Sequence, residues 1–385
     1  MSEIGDPTNL SGTFDRRRFL RGLGRGALGV GMAGAVPTAL AACDGDAQPA
    51  LETGADAMAD VWLGTSIRSL SNPYHALWKQ GGEDFAASVD AADRIQTLLS
   101  EGDSAKQLRD MRALIARVGK GNVIFNVDPN EASDALPIAR LCERSRCYFV
   151  TSWNKADDLH PWDFKYWVSH MSADDAAMGR QVGEALVRSM NGQGKMVAIL
   201  GLLGNTASQG RLRGLKQVLA DHPGVDLVQQ DNADWIRTKA QSVAESMLAS
   251  HPDLKGIWAA DDGMALGALD AVKAKGQAHR IRVVGIAGVE EAVRAVLAGD
   301  MVGTAGIDAV EQGGRGLAIA WHARSGELEV ASLPREHREF YFGTTLLTKD
   351  NAQRFLDTVL AAKGDRDWND IWVNVTGQIR YSTGS

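Results

Sequence analysis

The sequence predicts an α/β protein made of two Rossmann-like lobes with parallel sheets. Two observations carry this. Short apolar runs alternate with amphipathic helical patterns from Asp60 onward, the signature of parallel strands covered by helices on both faces. There are also too many such runs for one compact sheet, and the series divides naturally near Ser172.

In order, the predicted strands of the first lobe are Val61–Ser66, Arg94–Leu99, Asn122–Val127, Tyr148–Thr151 and Trp167–His170. Those of the second are Lys195–Leu200, Val225–Gln229, Gly256–Ala259, Arg282–Ile286 and Met301–Gly306. Helices are expected between them. Ala105–Val118 sets Leu108, Met111, Leu114, Ile115 and Val118 on one face, Met264–Val272 does the same with Leu266 and Leu269, and Ala292–Leu297 repeats the pattern. Phe340–Leu347 reads as an edge strand and Asn351–Leu360 as helical. The boundaries expected are residues 60–172 with 307–335 for lobe 1, residues 173–306 for lobe 2, and an extension, residues 336–385, packing on both.

The chain has 385 residues, 44% hydrophobic and 23% charged, with a net charge of −7. Five arginines precede residue 44, so the remainder is more acidic than the whole. An acidic body lacks the electrostatic footprint of a nucleic-acid binder. The eight histidines show no metal spacing, and neither Cys142 nor Cys147 joins one in a zinc pattern. The Gly201–Gly204 loop lacks the Lys-Ser/Thr of a P-loop and the spacing of a dinucleotide fingerprint. No cofactor and no enzyme chemistry are expected.

The N-terminus carries an export reading. Asp15-Arg16-Arg17-Arg18-Phe19-Leu20-Arg21 resembles a twin-arginine signal. The uncharged stretch Gly26 to Ala42 would span only about 26 Å as a helix, short of the ~30 Å hydrocarbon core, so it reads as a signal segment. It ends in Leu40-Ala41-Ala42-Cys43, which resembles a lipoprotein cleavage box with Cys43 acylated. Residues 1–43 are therefore the signal and residues 44–59 a flexible tether. Anchoring to the outer face of the cytoplasmic membrane, in the periplasm or at the cell surface, is expected, with Asp44 as the retention signal. In such an oxidising compartment Cys142 and Cys147 admit a small loop disulfide and equally two separate buried thiols.

Ligands of open α/β sheets bind beyond the carboxyl ends of the strands. The residues there are Asn72, Tyr74 and His75 after the first strand, with Asn72-Pro73 a good helix start. Asp128, Trp153, Asn154, Arg211, Arg213, Asp234, Trp235, Asp261, Asp262 and Asp308 follow others. Carboxylates and arginine bind vicinal hydroxyls through charge-assisted bonds, and the C–H face of a sugar packs on tryptophan. Asp174 and Asp262 read as helix caps, while Arg211 and Arg213 are both candidates at this point, with Arg211 also readable as a surface ion-pair partner. His160-Pro161-Trp162-Asp163 reads as either a lid or plain packing.

Five motifs resemble the class I periplasmic sugar-binding proteins, closest in type to the ribose-binding components of ABC importers. They are Ser71-Asn72-Pro73-Tyr74, Ser169-His170-Met171-Ser172-Ala173-Asp174, Arg211-Leu212-Arg213-Gly214, Ala233-Asp234-Trp235, and the run from Asp261 to Ala268. The resemblance implies lobes joined by a three-stranded hinge, closing on ligand and docking on an ABC permease driven by a cytoplasmic ATPase. It implies a ligand set of Asn72, Tyr74, His75, Asp128, Trp153, Asn154, Arg213, Trp235, Asp261 and Asp308. His75 stands where a second aromatic is usual, Asp128 replaces an Asn, and Trp153-Asn154 replace an Asp-Arg pair. Asp261 also replaces an Asn, Ala287 replaces an Asp, and Asp308 lies one residue beyond a usual Gln. These changes point away from ribose toward another neutral sugar or polyol. A single copy is expected to bind it. Presentation to a sensor kinase or chemoreceptor is the alternative to a permease.

Overall fold

The structure is a computed structural model and describes residues 51–361 and 366–381. The export signal, Cys43, Asp44 and the first part of the tether lie outside the described residues. Two sheets are present. The first contains β1 (Trp62–Ile67), β2 (Ile95–Leu99), β3 (Val123–Val127), β4 (Phe149–Ser152) and β5 (Trp167–Ser172). The second contains β6 (Gly194–Leu200), β7 (Val225–Asn232), β8 (Leu254–Ala259), β9 (Arg282–Ala287) and β10 (Gly303–Ile307). All ten pair in parallel. They form where the apolar runs predicted them: the inner strands are covered by helices on both faces and are largely apolar, whereas the edge strands β2 and β7 are only partly buried. β3, β4, β5 and β10 are buried at every residue.

Both sheets repeat one order. β1 lies between β2 and β3, and β6 lies between β7 and β8, with the remaining strands following outward. This reversal of winding opens a crevice at the carboxyl ends of β1 and β3 in one lobe, and of β6 and β8 in the other.

The C-terminal residues complete both sheets rather than packing on them as an extension. β11 (Glu339–Phe342) joins β5 in parallel, β12 (Thr344–Leu347) pairs antiparallel with β10, and β13 (Val375–Gln378) returns to pair antiparallel with β11. The run expected as one edge strand is thus two strands in different sheets, separated by Gly343. The chain passes between lobes near Ser172–Asp175, Ile307–Ala309 and Gly343, and a fourth time between Leu360 and β13. The three-crossing hinge implied by resemblance has one crossing more here. The stretch Asn351–Leu360 is helical, with its second half, Leu356–Leu360, wound as a π-helix.

Residues 51–59 correct the flexible tether. Ala55–Met58 is a short helix, Gly54 N–H donates to Ser325 O at 3.0 Å, Arg324 donates to Glu52 O at 2.6 Å, and Met58 is buried. Cys142 and Cys147 are both free and buried. Cys147 Sγ faces the Ser145 carbonyl at 3.3 Å instead of its neighbour, and burial pushes its thiol up to about 11. The His160–Asp163 segment is packing: His160 stacks on Trp162 and bonds Glu339 at 3.0 Å, and Arg338 donates to Pro161 O.

Candidate functional site

A cavity of about 50 Å³ lies between the lobes at the crevice. From the first lobe it takes Arg68, Asn72, Tyr74, His75, Asp128, Trp153 and Asn154. From the second it takes Asn205, Ala207, Arg211, Trp235, Asp261 and Ala287, with Ile307 at a crossing. Eight of the ten residues proposed from the sequence are thereby brought together.

Asn72 caps the helix Pro73–Ser88: its Oδ1 accepts from Tyr74 N at 3.0 Å, while its Nδ2 donates across the crevice to Asp261 Oδ2 at 2.9 Å. Asp261 in turn caps the helix Asp262–Ala274 by accepting from Met264 N at 2.8 Å. One carboxylate therefore starts a helix and bridges the lobes. Burial raises its pKa, opposed by these donors and by Arg211.

His75 Nε2 and Asp128 Oδ2 lie 3.0 Å apart, and Asn154 Nδ2 donates to the other Asp128 oxygen at 3.2 Å. Trp153 Nε1 donates to Tyr74 Oη at 2.9 Å, and Tyr74 donates to Gln312. Asn154 Oδ1 accepts from Thr206 N and Oγ1, both at 3.0 Å, which ties the β4 elbow to the second lobe.

Trp153 and Trp235 both occupy the left-handed region, each with φ +65°. Such a conformation costs a bulky residue about 1–3 kcal/mol and concentrates at functional sites. Trp235 also needs Gly201: a Cβ there would sit 2.0 Å from the indole, so only glycine lets the β6 loop pass under the ring.

Arg211, not Arg213, is the cavity cation of this helix. On Thr206–Asp221, Ala207 and Arg211 are four residues apart and share the cavity face, whereas Arg213 points round to solvent. Arg211 Nε bonds Asp175 Oδ1 at 2.9 Å and its Nη1 donates to Ala260 O at 2.7 Å. Its guanidinium lies 5.1 Å from the Trp153 ring and 5.6 Å from the Trp235 ring, within cation–π range. Gly179 and Gly214 let this helix touch the helix Asp175–Ser189 backbone to backbone, which brings Asp175 to Arg211.

Asp308 is also outside the cavity. It caps the helix Ala309–Ser325 through Glu311 N at 2.9 Å and takes Arg366 at 2.6 Å on its other oxygen; Ile307, one residue earlier, faces the cavity. Asp262 neither caps its helix nor touches the cavity. It accepts from Gly288 N, Val289 N and Thr304 Oγ1 at 2.6, 3.0 and 2.7 Å. Asp174 caps its helix as expected.

Arg68 was missed, although it is the first residue past β1 and so met the rule that found the others. It is buried and lies 6.0 Å from the Trp235 ring; burial lowers its pKa, opposed chiefly by Asp128 and Asp261. Asn205, a helix cap that also donates to Asn130 O at 3.2 Å, was missed as well. Its signal was its place at the end of the β6 loop.

A model of the family described as periplasmic binding protein domain matches residues 63–328. The chain belongs to this family, and is of its type I, sugar-binding kind. The family is periplasmic, and its members are binding components of importers rather than enzymes. The ribose import binding protein of Haemophilus influenzae is 28% identical over 284 residues, 74% of this chain and 92% of that protein. The D-allose-binding periplasmic protein of Escherichia coli is 30% identical over 68% of this chain and 84% of its own length. A crystal structure of a twin-arginine translocation pathway signal protein from Burkholderia phytofirmans superposes with a TM-score of 0.81 at 35% identity, covering 84% of this chain and 99% of that one. The family match ends at residue 328, so the strands β11 to β13 lie beyond it.

Proposed function

We propose that this sugar-binding protein closes its lobes on a neutral sugar or polyol and delivers it to an ABC permease, while held at the membrane by a lipid on Cys43. One observation carries the ligand class. Three buried nitrogens from three residues around the cavity, Arg68 Nε, His75 Nδ1 and Trp235 Nε1, have no hydrogen-bond partner among the described residues. Buried polar groups are normally satisfied, so a ligand with several hydroxyls suits them. The lining side chains, two arginines and two aspartates, sum to no net charge, and Arg211 is already held by Asp175 behind the wall, so no positive charge is left for an anionic ligand to answer. The ribose- and allose-binding relatives support the same class. The ligand set proposed is Arg68, Asn72, Tyr74, His75, Asp128, Trp153, Asn154, Arg211, Trp235 and Asp261.

The anchor rests on the Leu40-Ala41-Ala42-Cys43 box behind a twin-arginine pattern, and a structural relative bears a twin-arginine description. A thermal-shift screen of the domain from residue 44 against pentoses, hexoses, pentitols and inositols tests the ligand class. Binding to the native state raises the melting temperature with ligand over Kd. A shift with an amino acid or an organic anion, and none with any polyhydroxy compound, overturns the reading. Detergent phase partitioning tests the anchor: the full chain is expected in the detergent phase and Cys43→Ser in the aqueous phase.

A further inference from the structure

Behind the cavity wall lies a buried ion pair that the ligand set does not include. Lys155 Nζ and Glu339 Oε1 are 3.1 Å apart, with side chains 2% and 0% exposed. Lys155 immediately follows Trp153 and Asn154, while Glu339 opens β11, more than 180 residues away in sequence. A buried pair of this kind is seldom a net source of stability, because desolvation offsets the attraction. Its geometry gives it another use.

The β4 elbow is a short, strained turn. Trp153 is left-handed, its N–H donates to Met171 O at 3.2 Å, and Asn154 N–H donates to Ser152 O at 2.7 Å. The elbow presents the Trp153 indole to Tyr74 and Arg211, and the Asn154 amide to Asp128 and Thr206. Lys155 fastens its far end. The ammonium bonds Glu339, donates to Ala156 O at 3.1 Å and lies 4.3 Å from the Tyr381 ring. The groups facing Glu339 and Lys155 are His160, which bonds the same Glu339 oxygen at 3.0 Å, Tyr381, and His170, whose Nδ1 is 2.9 Å from Thr151 Oγ1. Asp157 and Asp158 lie on the same loop. Burial holds His170 well below the usual histidine range, so it adds no competing charge.

We infer that Lys155 and Glu339 are positioning residues for ligand binding: the buried pair holds the elbow that sets the Trp153 wall and the Asn154–Thr206 link between the lobes. Neither residue touches the cavity. Glu339 sits three residues before Phe342, where the chain leaves the first sheet for the second, so the same pair ties the ligand wall to a hinge strand. This inference rests on the sugar-binding reading, but its first readout needs no ligand.

The test is the double variant Lys155→Met/Glu339→Gln, which removes both charges and leaves no unpaired one. In protein with 15N-labelled tryptophan, the Trp153 indole N–H, assigned by Trp153→Phe, is expected to shift and broaden as its bond to Tyr74 loosens. The melting temperature is expected to stay near that of the wild type. With the sugar or polyol found by thermal shift, dissociation is expected to quicken about tenfold, the equivalent of one hydrogen bond to a charged or well-placed partner. Glu339→Gln alone keeps an acceptor for Lys155 but removes the counter-charge of a buried ammonium, so it is expected to move both readouts the same way at least as far and to lower the melting temperature as well. It decides the matter if the double variant does not fold. An unmoved Trp153 resonance overturns the inference, whatever happens to affinity. If no sugar binds at all, the resonance alone decides it, and the failure belongs to the ligand reading.

Discussion

Arg211 and Arg213 stand two residues apart on one helix, and only the first meets the cavity. The sequence held the answer in helical phase: Ala207, Arg211, Leu215 and Val218 form one buried stripe, and Arg213 lies on the opposite side. The resemblance alone pointed to Arg213, which does not line the cavity, because the motif contains two arginines. Arg211→Met is expected to weaken sugar binding about ten- to a hundredfold, the range for a lost charge-assisted contact. It is also expected to lower stability, because Asp175 loses the partner that balances its burial. Arg213→Ala is expected to change neither. Calorimetric titration of both variants is the check, and equal losses in the two would return Arg213 to the site. Arg68 and Asp308 are the other residue-scale lessons. Arg68 was legible from its place after β1. Asp308 was not, because nothing local marks that its carboxylate is claimed by Arg366, 58 residues away.

At the scale of elements, the inner strands were legible because burial on both faces forces apolar runs, whereas the edge strands β2 and β7 are only partly buried and offered shorter apolar stretches. The C-terminal strands were not legible. β11 and β12 are four residues each and meet at Gly343, so their apolar residues read as one run, and β13 alternates half-buried with exposed residues. The loops after the strands carry the site, and two of them yield predictions. After β6, Gly201→Ala would place a methyl group inside the Trp235 indole. The ring must move, at a cost of about 1–3 kcal/mol typical of overpacking. A larger effect on sugar affinity than on the urea midpoint is expected, and the reverse order would show that Trp235 is core rather than wall. After β9, the backbone of Gly288 and Val289 is held by Asp262, whose carboxyl burial pushes up to about 7 against its three donors. The folded state then keeps a proton that the unfolded state releases above about pH 4. The stabilising contribution is full below about pH 4 and is lost as pH rises through 7. Asp262→Asn can keep the backbone contacts with its oxygen and donate to Thr304 Oγ1. It should therefore flatten the fall in unfolding free energy between pH 5 and pH 8. Parallel slopes for wild type and variant in urea titrations would place the titration elsewhere, with Asp261, Asp175 or Asp308, which burial also raises.

At the scale of the whole molecule, the two lobes meet through polar contacts placed beside the cavity. Asn72 reaches Asp261, Asn154 reaches Thr206, Asn205 reaches Asn130 O, and Ala132 N–H reaches Gly204 O. Four chain crossings hold the opposite side. The contacts beside the cavity are therefore polar, and those made by side chains can be removed without touching a lobe's own core. Asn72→Ser separates the two roles of that residue: serine still caps the helix, but its short side chain cannot reach Asp261. A hydrogen bond to a buried carboxylate is worth about 1.5 kcal/mol or somewhat more, roughly a tenfold change in the ratio of closed to open lobes. The melting temperature is expected to stay close to that of the wild type, because the cap survives. The ligand-free radius of gyration from small-angle scattering should rise, and saturating sugar should restore it. Affinity should fall by a factor similar to the lost closed population, since a ligand that needs closed lobes is penalised by the fraction that is open. Unchanged scattering with weakened binding would make Asn72 a direct ligand contact only. Unchanged scattering and unchanged binding would remove the bridge from the closing mechanism altogether.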